Sequence, residues 1–515
     1  MHKLSIDKIN QLTNDKYRPM YHFTSPATNC HPGDANGAFF VDGVYHLMFL
    51  YQTDDDSYAW GHISSTDLLH WDSRPDAIGA IYGDKDGGCY SGGAFVDEDK
   101  TAYLTYWRID KGFDKDDDIK YNPTYDAVEI ATSTPPYDDW QILTRITKNT
   151  QHGVSISIDT QSNTRYLASS DPSNIWKDGD TYYVQMGNKP LLDKLGAVDE
   201  YYTGGYTDLY KSTDMLNWHY VGRFVSFDHS KNWTDKSEDI MCPTILPIPN
   251  KRSGGEWTGK YLNTYISHNR GAQYMIGSIE NETFVPSIHG RFSYEDAFYF
   301  APEALVDDKN RHILWAWLRW CLDDDYNRYG WSGVYSFPRE LWLEGDNLKM
   351  SPALELDNLE HSHIHLENIA INDRYDLKPP NDEFFRIKLK VTNNTCDYIE
   401  IILKNDEELG EYTSVKVDVE KKTLEIDERN SGSQKLMWDI PLIKEVAPLD
   451  ISKSDDIYID LFVDRSVVEV YVNNSQALCR RVYPTRPDLA TTTYLKSNGA
   501  ICDLTICAIS TTNEY

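Results

Sequence analysis

The chain has 515 residues, of which 40% are hydrophobic and 25% are charged, and its formal net charge is −31. That length exceeds what a single compact core accommodates, so at least two domains are expected. The acidic balance excludes nucleic acid and anionic membranes as natural partners, but it is compatible with a neutral substrate. The 14 Trp and 36 Tyr residues are typical of β-rich proteins and of surfaces that stack on sugar rings.

The first residues contain no apolar signal-peptide core, and no window is long and apolar enough to span a bilayer. Eight cysteines are scattered without the spacing of a zinc site or a disulfide scaffold. A cytoplasmic protein with reduced thiols and no metal or cofactor is therefore predicted. A secreted protein whose leader has been removed is the alternative.

The first chemically informative segment is residues 31–37, His-Pro-Gly-Asp-Ala-Asn-Gly, which runs into the apolar residues 38–41. Its glycines permit a tight turn that holds Asp34 and Asn36 at the start of a strand. A carboxylate fixed at the mouth of a rigid strand is well placed to act as a nucleophile. Taken alone, the segment also fits a turn that only initiates a strand.

A turn with Asp or Gly followed by a strand rich in Tyr, Leu, Val and Trp recurs along the chain. Its five copies are residues 42–49, 99–107, 178–186, 258–265 and 308–317. A second element, Ser-Thr-Asp-Leu-Leu-His-Trp at 65–71, matches residues 212–218 at five of seven positions, and 133–140 is a looser echo. Irregular repeats of this kind predict a five-bladed β-propeller, because the spacing is too uneven for a β-solenoid.

The character of the chain changes after about residue 355. Trp becomes rare, and alternating apolar and polar residues appear at 384–391, 414–419 and 457–463. This alternation is typical of half-buried antiparallel sheets and predicts a β-sandwich. The predicted organisation is an all-β chain with a propeller at 1–355, a linker at 356–371 and a sandwich at 372–515.

Several short blocks together resemble glycoside hydrolase family 32, the β-fructofuranosidases, over nearly the whole chain. In order, residues 33–37 are similar to the family's Asn-Asp-Pro-Asn-Gly, 90–94 to its Phe-Ser-Gly-Ser, 170–172 to Arg-Asp-Pro, 241–243 to Glu-Cys-Pro, 300–303 to Tyr-Ala-Pro-Gln, and 462–470 to Phe-Val-Asp-Arg-Ser-Ser-Val-Glu-Val. Residues 60–71 and 330–341 match two further blocks. The family's five-bladed propeller and sandwich agree with the repeat count.

The resemblance implies a retaining glycosidase, which uses a nucleophilic carboxylate and a general acid/base. Asp34 matches the family's nucleophile, and Asp171 matches the carboxylate that stabilises its transition state. The resemblance also implies a set of residues that bind or flank the substrate: Asn36, Gln52, Trp60, Tyr90, Ser91, Cys242, Glu303 and Trp317.

The chain departs from the family where the chemistry is most demanding. Ser170 replaces the Arg beside Asp171, and Met241 replaces the acid/base Glu. A thioether cannot donate a proton. A nearby carboxylate is one explanation. Strand alternation puts Asp239 on the same face as Met241, so Asp239 is the predicted acid. The other candidate carboxylates are Glu238 and Glu303.

Two further explanations remain open: a substrate whose leaving group needs little protonation, and a homologue that binds fructan without cleaving it. The predicted function is hydrolysis of β-D-fructofuranosyl bonds in sucrose, fructo-oligosaccharides or fructans by double displacement. A fructosyltransferase is the alternative enzyme, and one form of it makes or cleaves difructose anhydrides by intramolecular transfer. The expected partner is a fructose-containing substrate, and an oligomer is compatible with the sequence.

Overall fold

The structure is a computed structural model. It describes residues 6–24, 31–53, 57–79, 88–110, 125–146, 156–159, 164–190, 205–227, 229–235, 237–319, 331, 333–392, 396–432 and 441–512. The N-terminal residues 1–5, Cys30, Cys321 and Gly330, which entered the sequence analysis, lie outside this described part.

The chain divides into two compact units. One contains residues 29–292 and 299–317, and the other contains residues 2–28, 293–298 and 318–515. Among the described residues the helical content is small: one α-helix, α1 (Ile6–Asn14), and short 3₁₀ helices at His229–Lys231 and Leu354–Leu359. Within the described ranges, no helix has the length and apolarity needed to cross a bilayer.

The first sheet has nine strands and contains two four-stranded antiparallel runs, β1 to β4 and β6 to β9. Its strands are β1 (His31–Val41), β2 (Val44–Gln52), β3 (Tyr58–Ser65), β4 (Asp72–Ile78), β5 (Gly88–Cys89), β6 (Ala94–Val96), β7 (Ala102–Asp110), β8 (Tyr125–Ser133) and β9 (Gln141–Ile146). Each run has the up-and-down order of a propeller blade.

Three further sheets follow in chain order, with six, four and five strands. The first is formed by β10 (Ile156–Asp159), β11 (Thr164–Pro172), β12 (Trp176–Asp178), β13 (Thr181–Pro190), β14 (Tyr206–Ser212) and β15 (His219–Ser226). The second is formed by β16 (Met241–Pro249), β17 (Trp257–Ser267), β18 (Gly271–Glu280) and β19 (Thr283–Arg291). The third is formed by β20 (Tyr299–Val306), β21 (His312–Leu318), β22 (Val334–Tyr335), β23 (Arg339–Glu344) and β24 (Asn347–Pro352).

The C-terminal part contains two six-stranded sheets. One is formed by β25 (Glu360–Ile371), β27 (Phe384–Val391), β32 (Ile457–Asp464), β33 (Val467–Val472), β34 (Gln476–Arg481) and β36 (Ala500–Ile509). The other is formed by β26 (Arg374–Leu377), β28 (Tyr398–Asp406), β29 (Glu411–Asp418), β30 (Thr423–Asp427), β31 (Lys444–Pro448) and β35 (Thr492–Ser497). Ile387 and Leu461 of the first sheet share one buried core with Ile401 and Val417 of the second, as in a β-sandwich. The predicted fold class, a five-bladed propeller followed by a sandwich, is confirmed.

The repeated seven-residue element forms the same turn in both copies. Asp67 Oδ1 accepts hydrogen bonds from the backbone N–H groups of Leu69 at 2.9 Å and His70 at 2.8 Å. Asp214 Oδ1 does the same for the equivalent residues of the second copy, at 2.9 and 2.7 Å. The repeat therefore encodes an Asx-type turn that leads out of β3 and out of β14.

The segment with Asp34 differs from the predicted turn. It lies inside β1, which is paired with β2 but has register shifts between Pro32 and Ala35 and between Asn36 and Phe39. Gly37 has a φ of +52°, and a Cβ there would lie 3.1 Å from both Trp60 and Leu104 side chains. The glycine therefore permits an irregular strand rather than a separate turn, and its N–H donates to the Gly92 carbonyl at 3.4 Å instead of to β2.

A buried carboxylate of the second unit holds the segment after α1. Asp464, at the end of β32, accepts hydrogen bonds from the backbone N–H groups of Met20 at 2.8 Å, Tyr21 at 3.0 Å and His22 at 2.9 Å. The Asp464 side chain is fully buried. Three charge-assisted bonds of this kind offset the cost of burying the carboxylate.

Candidate active site

The irregular part of β1 positions Asp34. The Ser91 hydroxyl donates a hydrogen bond to Asp34 Oδ2. Asn36 is buried and uses both ends of its amide within the protein, since its Oδ1 accepts from the Gly92 N–H at 3.2 Å and its Nδ2 donates to the Asp34 carbonyl at 3.1 Å. Asn36 therefore fixes the backbone of Asp34, and Ser91 fixes its carboxylate. The fructose contacts predicted for these two residues stay a prediction.

A thiol connects Asp34 with the second predicted carboxylate. The Sγ of Cys242 lies 3.3 Å from Asp171 Oδ2 and 3.7 Å from Asp34 Oδ2, and the Cys242 N–H donates to Asp171 Oδ2 at 3.3 Å. Burial, and secondarily the charge of Asp34, raises the pKa of Asp171 to about 6. Burial also raises the pKa of Cys242 well above its ordinary value, so the sulfur stays a neutral thiol.

Met241 occupies the position beside this pair. Its side chain is buried, and its Sδ would lie 3.2 Å from a Cβ added at Gly187, with the Asp171 carbonyl 3.4 Å from the same point. Ser170 is opposite Gly187 in the pairing of β11 with β13. The structure therefore places an apolar thioether next to Asp171, where the family resemblance implies a carboxylic acid.

Asp239, the acid predicted from strand alternation, is hydrogen-bonded to a histidine that the sequence analysis did not single out. Asp239 Oδ2 lies 2.6 Å from Nδ1 of His268, and Asp239 Oδ1 accepts the His268 backbone N–H at 2.8 Å. Met241 faces Ile266 in the pairing of β16 with β17. The same antiparallel register brings His268 opposite Asp239. This contact is long-range, so no local sequence motif predicts it.

The two other candidate carboxylates are engaged elsewhere. Glu238 is buried and accepts two hydrogen bonds from the Arg291 guanidinium, at 2.9 and 3.0 Å. Glu303 is also buried and accepts from the Ala38 N–H at 2.9 Å and the Thr244 hydroxyl at 2.8 Å. Burial raises the pKa of Glu303 to about 8, so it is largely neutral at pH 7.

The predicted pocket aromatics have different environments. Trp60 is fully buried and donates its indole N–H to the Tyr90 carbonyl at 3.1 Å, so it lies in the core beneath β1 and presents no face to a sugar. Tyr90 is half-buried. Trp317 is 7% exposed, and its ring centroid lies 6.0 Å from that of Phe300, which in turn lies 6.2 Å from the His268 ring.

Trp317 carries an unsatisfied donor. Its indole Nε1 is buried and has no hydrogen-bond acceptor among the described residues. Buried donors are almost always paired, so this one is a candidate contact for a ligand oxygen. Gln52, at the end of β2, is half-buried.

Among the described residues, one group of side chains has a geometry that could hold a metal ion, namely Glu360, His363 and Cys507. It lies in the sandwich sheet, and Glu360 is already bonded to Arg386 at 2.5 Å and to Lys388 at 2.6 Å. Two cations at the same carboxylate oppose the binding of a third. The group belongs to the second compact unit, whereas Asp34 belongs to the first.

Carboxylates flanked by aromatic side chains are the groups with which glycosidases bind and cleave sugars, so fold and site define a glycosidase-type protein. The family model of the glycosyl hydrolases family 32 N-terminal domain matches residues 22–352, and that of the family 32 C-terminal domain matches residues 355–509. The chain therefore belongs to glycosyl hydrolase family 32.

The chain is similar to an insoluble β-fructofuranosidase isoenzyme of Arabidopsis thaliana, 28% identical over 69% of this chain and 58% of that protein. It is 22% identical to a sucrose-6-phosphate hydrolase of Zymomonas mobilis, over 93% of this chain and 89% of the other. A fructan 1-exohydrolase IIa variant from Cichorium intybus, solved in complex with 1-kestose, has the same fold, with a TM-score of 0.73 at 20% identity, covering 96% and 98% of the two chains. The chain thus spans about three-fifths of the length of the first of these relatives.

Proposed function

We propose that this protein cleaves terminal β-D-fructofuranosyl bonds of sucrose, fructo-oligosaccharides or fructans with retention of configuration. The observation that carries the proposal is the cluster of Asp34, Asp171 and Cys242, in which a neutral thiol lies between two acidic side chains. Family membership and the names of the relatives, which act on fructosides, support the same substrate class.

In this reaction, a carboxylate oxygen of Asp34 attacks the anomeric carbon of the fructosyl unit and the glycosidic bond breaks. The Ser91 hydrogen bond fixes the orientation of the Asp34 carboxylate. The ionised Asp171 stabilises the positive charge that develops on the sugar ring. Water then releases fructose from the covalent intermediate.

The test is incubation of the protein with sucrose, 1-kestose, inulin, levan and difructose anhydrides, with the products separated by sugar chromatography. Free fructose indicates hydrolysis, and new oligosaccharides or anhydrides indicate fructosyl transfer. Asp34→Asn is expected to lower turnover by about 10⁴-fold, in line with removal of other catalytic groups. Measurable binding of these sugars without turnover by the unmodified protein would show a fructan-binding homologue instead.

A further inference from the structure

Resting on the proposed function, we infer that His268 is the general acid/base of this site, and that Asp239 is the residue that positions it. The acid/base carboxylate that the family resemblance implies is replaced by Met241, which cannot carry a proton. A retaining glycosidase nevertheless needs a group that protonates the leaving oxygen and later deprotonates water.

The geometry of the histidine suits this role. Nδ1 of His268 donates to Asp239 Oδ2 at 2.6 Å, and the backbone N–H of His268 donates to the other carboxylate oxygen at 2.8 Å. These two bonds fix the tautomer and the orientation of the ring, and they leave Nε2 to exchange a proton. The Asp239 side chain is only 6% exposed, whereas 43% of the His268 side chain remains exposed.

His268 also lies near the aromatic side chains of the candidate site. Its ring centroid lies 6.2 Å from that of Phe300, which lies 6.0 Å from that of Trp317. Burial raises the pKa of Asp171, and the charge of His268 acts in the opposite direction. Met241 is paired with Ile266 in the antiparallel register of β16 and β17. Two residues further, the same register puts His268 opposite Asp239. The histidine therefore lies near Met241, the residue that stands where the family resemblance implies the acid/base carboxylate.

The other proton carriers nearby are less suitable. Glu238 is bonded to Arg291, and Glu303 is buried with both oxygens engaged by Ala38 and Thr244. Burial, and secondarily the charges of Asp171 and Asp34, raises the pKa of the Cys242 thiol well above its ordinary value. Among the described residues, Asp239 is the charged group bonded to His268, and Asp171 interacts with the histidine through its charge.

The proton balance of the two steps is complete. In the first, Asp34 forms a bond to the anomeric carbon, the bond to the leaving oxygen breaks, and that oxygen takes the proton from Nε2 of the His268 imidazolium. In the second, the neutral imidazole accepts a proton from the attacking water, the ester bond to Asp34 breaks, and the carboxylate and imidazolium are restored. No other reactant is needed.

The test compares sucrose with p-nitrophenyl β-D-fructofuranoside, whose leaving group departs without protonation. His268→Ala is expected to lower kcat/KM on sucrose by about 10² to 10⁴-fold, the range for general acid/base catalysis, but to have less than about tenfold effect on the aryl substrate. Azide, which attacks without a base, is expected to restore turnover of the aryl substrate and to yield fructosyl azide.

The remaining variants separate the possible failures. His219→Ala removes an exposed histidine of β15 and is the matched control. Asp239→Asn is expected to lower kcat/KM on sucrose while changing that of the aryl substrate by less than about tenfold, because the imidazole loses the partner that orients it. Equal loss on both substrates without azide rescue, or sucrose activity within threefold of the unmodified protein, would refute the role of His268. If the unmodified protein cleaves neither substrate, the proposed function fails as well.

Discussion

The Cys242 thiol lies 3.3 Å from the Asp171 carboxylate, and it donates the hydrogen bond that partly offsets the effect of burial on that group. Burial raises the pKa of Asp171 to about 6, whereas the bond from Cys242 acts in the opposite direction. A weak sulfur donor therefore adjusts the pH at which this site carries its negative charge.

Replacing Cys242 is expected to shift the acidic limb of the pH–activity profile. Cys242→Ala removes the thiol donor, so the pKa of Asp171 rises further and the limb moves to higher pH by about one unit. Cys242→Ser supplies a stronger donor and moves the limb to lower pH. Steady-state kcat/KM measured between pH 4 and 8 checks both directions, and a common shift of the two variants would contradict the argument. Because the two carboxylates interact, the midpoint of this limb describes the Asp34 and Asp171 pair and not either residue alone.

Glu303→Gln is expected to stabilise the protein at alkaline pH. The pKa of Glu303 is raised from its ordinary 4.5 to about 8, so the folded state binds this proton more tightly than the unfolded chain. Its contribution to stability is therefore full below about pH 4.5 and is lost as pH rises towards 8. The amide oxygen still accepts from the Ala38 N–H, the amide NH2 donates to the Thr244 hydroxyl oxygen, and there is no charge to bury.

The free energy of unfolding of Glu303→Gln is expected to exceed that of the unmodified protein by about 3–5 kcal/mol at pH 8.5, and the difference is expected to fade near pH 5. Urea denaturation at the two pH values measures this. An equal gain at both would mean that ionisation of Glu303 does not set the difference.

Arg291→Ala is expected to destabilise the protein by about 3 kcal/mol, because it leaves the Glu238 carboxylate buried without its cation. The Glu238 side chain is 2% exposed and that of Arg291 is 19% exposed. Arg270→Ala is the matched control, since this guanidinium is 44% exposed and lies 3.5 Å from Asp235. Its loss is expected to cost less than about 1 kcal/mol. Similar costs for both variants, measured by denaturant unfolding, would contradict this ranking.

Trp317→Phe is expected to weaken substrate binding without weakening the fold. The change removes an indole N–H that has no acceptor within the described part of the chain, so no buried protein group loses its partner. If a fructoside oxygen accepts that hydrogen bond, KM rises about fivefold to tenfold, the value of one neutral hydrogen bond. An unchanged KM together with a higher melting temperature would indicate that the indole N–H has no ligand.

The sequence predicted the fold through its repeats: the turn-and-strand pattern recurs five times, and the Asx turns at Asp67 and Asp214 are encoded locally in two of the copies. It also singled out Asp34 and Asp171, two residues of short ordered blocks that the structure brings together beside Cys242. The sequence could not show that Trp60 belongs to the core, because an aromatic residue in a strand is compatible with either face of the sheet. The role of Asp239 as partner of His268 depends on the register between two strands, and this is set by pairing rather than by neighbouring residues.

The buried carboxylate of Asp464 has a consequence for the order of assembly. The Met20 N–H that it binds is 444 residues away along the chain. During synthesis, residues 20–22 emerge long before their acceptor exists, so these backbone groups stay hydrated until nearly the whole sandwich has been made. Closing a loop of this length carries a large entropic cost, and such non-local contacts form late and slowly. The segment after α1 is therefore expected to be the last part of the second unit to acquire protection from proteases during refolding.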